Sequence, residues 1–219
     1  MSASILATVS VTDALADALR AQILDGQWPP GTTVAEVEVA RRFGVSRPTA
    51  KTAVRTLVHE GLLRQDAHRP PHVPRLTGQD VADLFFVRVP LELAIVERLS
   101  ANPPADGLAA AAEQIERLRA LPADAPSSTF VGKDLGFHRA LADATQSPRM
   151  RQTYATLAGE IHLNMIQTRQ ALGRERIVHE HSAIHAAIVR GDADTAIRQA
   201  REHLTGALGA LTEPHGTAT

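Results

Sequence analysis

The short stretch Gly44-Val45-Ser46 constrains this chain more than any other feature. It separates two segments of helical periodicity and leaves room only for a tight turn. On the N-terminal side, Val37, Val39, Ala40 and Phe43 mark a short helix, and Gly44 supplies a left-handed stop. Thr33-Val34-Ala35-Glu36 has the form of a capping box that would start that helix. On the other side, Ser46 is placed to cap a helix that runs to about His59 and ends at Gly61.

That second helix has two faces. Ala50, Ala53, Val54, Leu57 and Val58 repeat at helical spacing and form the side that packs. Arg47, Lys51 and Arg55 recur every four residues and point away from it. A cationic stripe on the second helix of a helix-turn-helix suits a DNA major groove, with Arg47 reaching base edges and Lys51 and Arg55 holding phosphate or base. Thr49 and Thr52 add candidate contacts to phosphate or a thymine methyl. Upstream, Ser10-Val11-Thr12-Asp13 opens a helix carrying Leu15, Ala18, Leu19, Gln22 and Ile23. It stops near Gly26, before Trp28-Pro29-Pro30-Gly31. Downstream, Leu62-Leu63-Arg64-Gln65 and His72-Val73-Pro74-Arg75 read as two short strands around a tip with Arg69, a wing that reaches a minor groove or the backbone.

Charge is divided along the chain in the same sense. Residues 41–75 carry eight basic side chains against two acidic ones, whereas from Thr77 onward 14 Lys and Arg face 17 Asp and Glu. A basic module joined to an acidic remainder fits a DNA-binding domain attached to a domain with another task. With 44% hydrophobic and 21% charged residues, the composition is that of a soluble globular protein. No apolar run approaches the roughly 18 residues of a membrane span. Met1 to Ser10 lack the pattern of a secretory signal, and without cysteine there is neither disulfide nor thiolate chemistry. A cytoplasmic location without membrane partners is expected.

From Gln79 onward the sequence reads as helix, with segments at about 79–101, 105–120, 128–145, 149–172, 174–190 and 193–211. Pro90 lies inside the first and is expected to kink or divide it. The fold class expected is mainly α: an N-terminal winged helix-turn-helix over 1–75, a C-terminal antiparallel α-helical bundle over 76–212 and a flexible tail at 213–219.

Histidines carry the chemistry of the second part. Asp134 and His138 leave one helix face, His181 and His185 form another pair four apart, and His203 follows on the last helix. A carboxylate with imidazoles from three helices is a candidate set for a divalent transition metal, suited to Zn, Ni, Mn or Fe more than to Mg or Ca. The alternative from spacing alone is that each histidine is simply hydrogen-bonded. Asn164 and Arg169 share the 149–172 helix, each either a pocket residue or one that is exposed or in an interface.

Pro30-Gly31, Ala40-Arg41-Arg42-Phe43-Gly44-Val45-Ser46-Arg47 and Leu57-Val58-His59-Glu60-Gly61-Leu62-Leu63 together resemble the DNA-binding domain of GntR-family regulators. The chain departs from that pattern in having Pro48-Thr49 in place of Thr-Pro, and Pro70-Pro71 at a wing tip where glycine is usual. Asp134-Leu135-Gly136-Phe137-His138, Glu180-His181-Ser182-Ala183-Ile184 and His203-Leu204 resemble the helical FCD ligand-binding domain of the FadR-like branch. The resemblance implies that Arg47 and Lys51 contact DNA and that Asp134, His138, His181 and His203 are metal ligands. His185 is then not a ligand but a residue of the pocket or of the layer behind the ligands. Arg88 and Glu92 match an Arg-x-x-x-Glu of that domain, with Arg88 either receiving an effector carboxylate or pairing with Glu92.

The function expected is a bacterial transcriptional regulator, not an enzyme. As a homodimer it would bind double-stranded operator DNA, with its affinity set by a small organic acid at the metal site through a linker at residues 74–80. The competing readings are a metal-dependent hydrolase or lyase using the His/Asp site, and a regulator whose metal is structural or is itself the signal.

Overall fold

In the computed structural model, which describes residues 10–104, 108–167 and 173–212, the chain divides into two units between Arg75 and Leu76. Arg169 and the tail at 213–219 lie outside the described residues, as do the first part of the helix expected at 105–120 and the last part of that at 149–172.

The first unit is built on α1 (Val11–Leu24), α2 (Glu36–Phe43) and α3 (Arg47–His59). Ser10 caps α1 by accepting from the Asp13 amide, and Ser46 caps α3 by accepting from the Thr49 amide. Such a cap satisfies one of the orphan donors of the first turn and stabilises by about 1 kcal/mol. Gly44 ends α2 at φ 66, a left-handed conformation that a side chain with a Cβ resists. Leu15, Leu19 and Ile23 of α1, Val39 of α2 and Ala50, Ala53, Val54 and Leu57 of α3 are buried together with Trp28, Leu62 and Leu63. Arg20 clamps the end of α3 from α1, donating to both Glu60 oxygens at 2.8 and 2.7 Å.

Two local expectations change. Helix α2 is entered through Ala35 without a side-chain cap, so Thr33 does not form a capping box. Thr33 is instead bridged to His72, and the amides of Gly31, Val34 and Val73 bond to Val73, Pro71 and Thr32 carbonyls nearby. The extended segment before α2 thereby joins the wing, an arrangement dictated by residues nearly forty positions later. The wing is thinner than two strands: Arg64 and His72 exchange both backbone bonds at 2.9 Å, as a single bridge. At its tip His68 takes a φ of 61, and the Arg69 amide closes the turn on the Asp66 carbonyl.

The second unit contains α4 (Gly78–Ala101), α5 (Ala109–Arg119), α6 (Ser127–Ala144), α7 (Pro148–Gln167), α8 (Arg174–Val189) and α9 (Ala193–Thr212). Thr77 and Asp80 form a reciprocal capping box at the start of α4. α4 packs most extensively against α9 and also touches α6, α7 and α8, while α5 lies on α6 and α8. The core they enclose includes Ile95, Leu99, Ile115, Leu135, Phe137, Leu141, Ile161, Ile184 and Ile188. Pro90 neither divides α4 nor ends it: the helix continues through it. Pro90 is exposed, and the carbonyl it leaves without a helical donor belongs to Phe86, 78% exposed, where water can serve. None of the described helices is long and apolar enough to cross a membrane.

Candidate metal centre and nucleic-acid face

On the first unit, Arg47, Lys51 and Arg55 are all exposed along α3, opposite the buried Ala50, Ala53, Val54 and Leu57. Among the described residues none of the three is held in an ion pair, in contrast to Arg41, which Glu38 engages at 2.6 Å. Thr49 and Thr52 are already occupied locally. The Thr49 hydroxyl lies 2.7 Å from that of Ser46, and the Thr52 hydroxyl donates to the Pro48 carbonyl at 3.1 Å. Each keeps an acceptor lone pair for a further partner. Arg69 is exposed at the wing tip.

In the second unit, the helix faces bring three imidazoles into one buried cluster. His138 comes from α6, His181 from α8 and His203 from α9, with candidate donor atoms all within 4.8 Å of one another. Asp134, one turn before His138, is also buried and sets Oδ1 3.3 Å from His181 Nε2, but it lies outside the set of mutually close donors that the three imidazoles form. His181 is stacked on Phe137, ring centroids 4.1 Å apart, and is fully buried. Burial holds the His181 imidazole well below its ordinary pKa, with the Arg88 guanidinium acting in the same direction, so it is neutral. Neutral imidazole is the form that ligates a metal.

Two carboxylates grip the other rings from outside. Glu92 of α4 places Oε2 2.6 Å from His138 Nδ1, and Glu180 of α8 places Oε2 2.7 Å from His203 Nδ1. A carboxylate only accepts, so each of these Nδ1 atoms carries the hydrogen. With both rings neutral, the lone pairs of the two Nε2 atoms face each other across 3.4 Å. Facing lone pairs repel unless a cation or proton lies between them. Two nitrogens on one tetrahedral ion, at bond lengths of about 2.0–2.1 Å, would be about 3.4 Å apart. The unsatisfied Asp134 Oδ1 and both unsatisfied ring nitrogens of His181 add buried polar atoms that a divalent ion would satisfy. The donor set therefore fits a transition metal.

Glu92 is itself fixed. Arg88 donates Nε to its Oε1 at 2.7 Å, and the Tyr154 hydroxyl donates to the same oxygen at 3.1 Å. Burial opposes the Glu92 charge, but the Arg88 guanidinium outweighs it and holds the carboxyl well below its usual range. Burial likewise opposes the Arg88 charge, yet Glu92 holds the guanidinium above its usual value. Burial and the neighbouring Glu92 push the Tyr154 phenol up, keeping it protonated as a donor.

Arg88 thus pairs with Glu92, and Asn164 is buried on α7. His185 is half-buried, with Nε2 3.2 Å from the Leu108 carbonyl beside α5. It is not among the converging imidazoles. Sequence reasoning had not singled out Tyr154 or the grip of Glu180. The signal for Tyr154 was present: it shares a helical face with Ala158 and Ile161, and a buried hydroxyl needs a partner.

Comparisons with known proteins agree with both units. Residues 11–70 match the family described as bacterial regulatory proteins, gntR family, and residues 83–206 match the FCD domain. The HTH-type transcriptional regulator YdhC of Bacillus subtilis (strain 168) is 26% identical over 187 residues, covering 84% of each chain. The HTH-type transcriptional repressor RspR of Escherichia coli (strain K12) is 23% identical over 187 residues, 85% of this chain and 82% of its own. Among solved structures, a GntR chain from Rhodococcus sp. RHA1 superposes with a TM-score of 0.78 at 25% identity, covering 91% of this chain and 96% of that one.

Proposed function

We propose, for a chain that belongs to the gntR family of bacterial regulatory proteins and carries an FCD domain, that its control of transcription runs through a metal-held organic acid. In this reading the first unit binds operator DNA, and the second binds a small carboxylate at a divalent transition metal. The observation that carries the reading is the pair of Nε2 atoms of His138 and His203 facing each other at 3.4 Å, beside the buried His181 and Asp134.

Each group has a part. Asp134, His138, His181 and His203 would hold the ion. When bound, the ion supplies Lewis acidity and open coordination positions to an anionic ligand. Arg88 spends its Nε on Glu92, and the far end of its guanidinium is the candidate second anchor for the acid, with Asn164 and His185 as further pocket candidates. On α3, Arg47 reads base edges while Lys51, Arg55, Thr49 and Thr52 position the helix, and Arg69 extends from the wing. Two copies of the chain reading a near-palindrome follow from the two-fold symmetry of such operators, so the active form is a homodimer. The acid alters DNA affinity only to the extent that it binds the DNA-competent and idle forms unequally.

The test starts with an operator selected from a random duplex pool by the metal-loaded protein. A panel of mono-, di- and tricarboxylates is then titrated while DNA binding is followed by fluorescence anisotropy. One carboxylate class should change the affinity, and the change should vanish in Asp134→Ala and His181→Ala. DNA binding that no acid alters, with or without added metal, would sink the effector reading.

A further inference from the structure

We propose that Glu92 and Glu180 are positioning residues of the histidine cluster: each fixes the tautomer and ring orientation of one imidazole, so that the metal-facing nitrogens are set before any ion arrives. The proposal rests on the metal reading given above and assigns it an outer layer.

A carboxylate stands equally close to both rings, but only the Glu180–His203 contact has the alignment of a hydrogen bond, while Glu92 meets His138 as a close ion-pair contact. Glu92 Oε2 stands 2.6 Å from His138 Nδ1 and Glu180 Oε2 stands 2.7 Å from His203 Nδ1, while the opposite nitrogens approach to 3.4 Å. A hydrogen bond from Nδ1–H to a carboxylate makes the other nitrogen a stronger donor to a metal and prevents the ring from flipping. Neither carboxylate is free to swing away. Arg88 and Tyr154 hold Oε1 of Glu92, and Arg176 holds Oε1 of Glu180 at 2.7 Å. His181 lacks such a carboxylate on Nδ1, and its ring is fixed instead by stacking on Phe137 at an interplanar angle of 17°. The cluster thus has one ring oriented by a hydrogen bond, one by a close carboxylate contact and one by packing.

The two carboxylates differ in setting, which decides where to test. Glu92 is buried in the core of the unit, so its removal endangers folding. The Glu180 side chain is 23% exposed at the junction of α8 and α9, and its substitution leaves the core intact.

Two readouts on the full-length protein separate the possibilities. In metal-free protein, long-range nitrogen–proton NMR of the histidine rings reports the tautomer directly. His203 should be the Nδ1–H form in wild type and in Glu180→Gln, whose amide oxygen still accepts, and should shift toward the Nε2–H form in Glu180→Ala. In a chelator competition for Zn(II), Glu180→Ala should lose roughly 10- to 100-fold in affinity and Glu180→Gln less than that. The melting temperature of the metal-free proteins should stay together across the three. An Nε2–H tautomer at His203 in wild type, or unchanged Zn(II) affinity in Glu180→Ala, would overturn the proposal while leaving the metal reading intact. Wild-type protein that takes up no Zn(II) would overturn the metal reading, and the positioning role with it.

Discussion

The three cations of α3 occupy one exposed stripe, yet they need not do the same work. Arg47 is the first residue of its helix, where a planar guanidinium can reach a guanine edge with two hydrogen bonds. Lys51, one turn further on, is a compact charge better suited to phosphate. Lys51→Ala should therefore weaken binding about equally on all sequences and lower the slope of log K against log salt by about 0.9. Arg47→Ala should cost roughly 1–3 kcal/mol on the selected operator and relax specificity at one base pair. Anisotropy titrations on matched and scrambled duplexes over a range of salt distinguish the two. Identical losses on both duplexes for Arg47→Ala would move it to the backbone class. Neutral residues matter at this scale as well: Ser46 and Thr49 are linked at 2.7 Å, so the start of the helix that carries Arg47 is itself held.

Among the elements, α4 is the one that departs furthest from what its sequence suggests. It accommodates Pro90 without interruption because the disrupted side of the helix faces outward, near the exposed Phe86 and Val87. Pro90→Ala restores a backbone donor to the Phe86 carbonyl and should stabilise the second unit by roughly 1–3 kcal/mol. A thermal melt that does not rise would mean that a ring at this position contributes something the helix needs. The contrast explains what the sequence could reveal. Caps act within four residues, so Ser10, Ser46 and the Gly44 stop were readable from local spacing alone. Thr33 carried the same local signal and misled, because its actual partner, His72, competes from far along the chain. The candidate site divides in the same way. Helical spacing showed that Asp134 and His138 share a face, as any two residues four apart must. It could not show that Tyr154 reaches Glu92 across 62 residues, or that Glu180 on α8 grips His203 on α9. Those pairings depend on how helices pack, which no window along a single helix contains.

At the scale of the whole molecule, the division between Arg75 and Leu76 separates the two kinds of chemistry: the exposed cations belong to the first unit and the buried histidines to the second. Removal of metal should accordingly be felt by one unit. An ion present at 100 times its dissociation constant stabilises the state that binds it by about 2.7 kcal/mol. Chelation should lower the melting transition of the second unit and leave that of the first in place, in a calorimetric scan of the intact chain with and without EDTA. Two transitions that fall together would show that the units unfold as one, and none that falls would count against a bound ion. The distances along the chain add a consequence in time. His138 and His203, whose Nε2 atoms nearly touch, are 65 residues apart in sequence, and His203 sits on the last helix. A ribosome delivers the chain from its N-terminus, so an ion needing both rings finds no site until α9 has been synthesised and docked. If the cluster takes an ion as proposed, loading would be a late event, and an occupied cluster would mark a finished copy of this unit rather than help to start one.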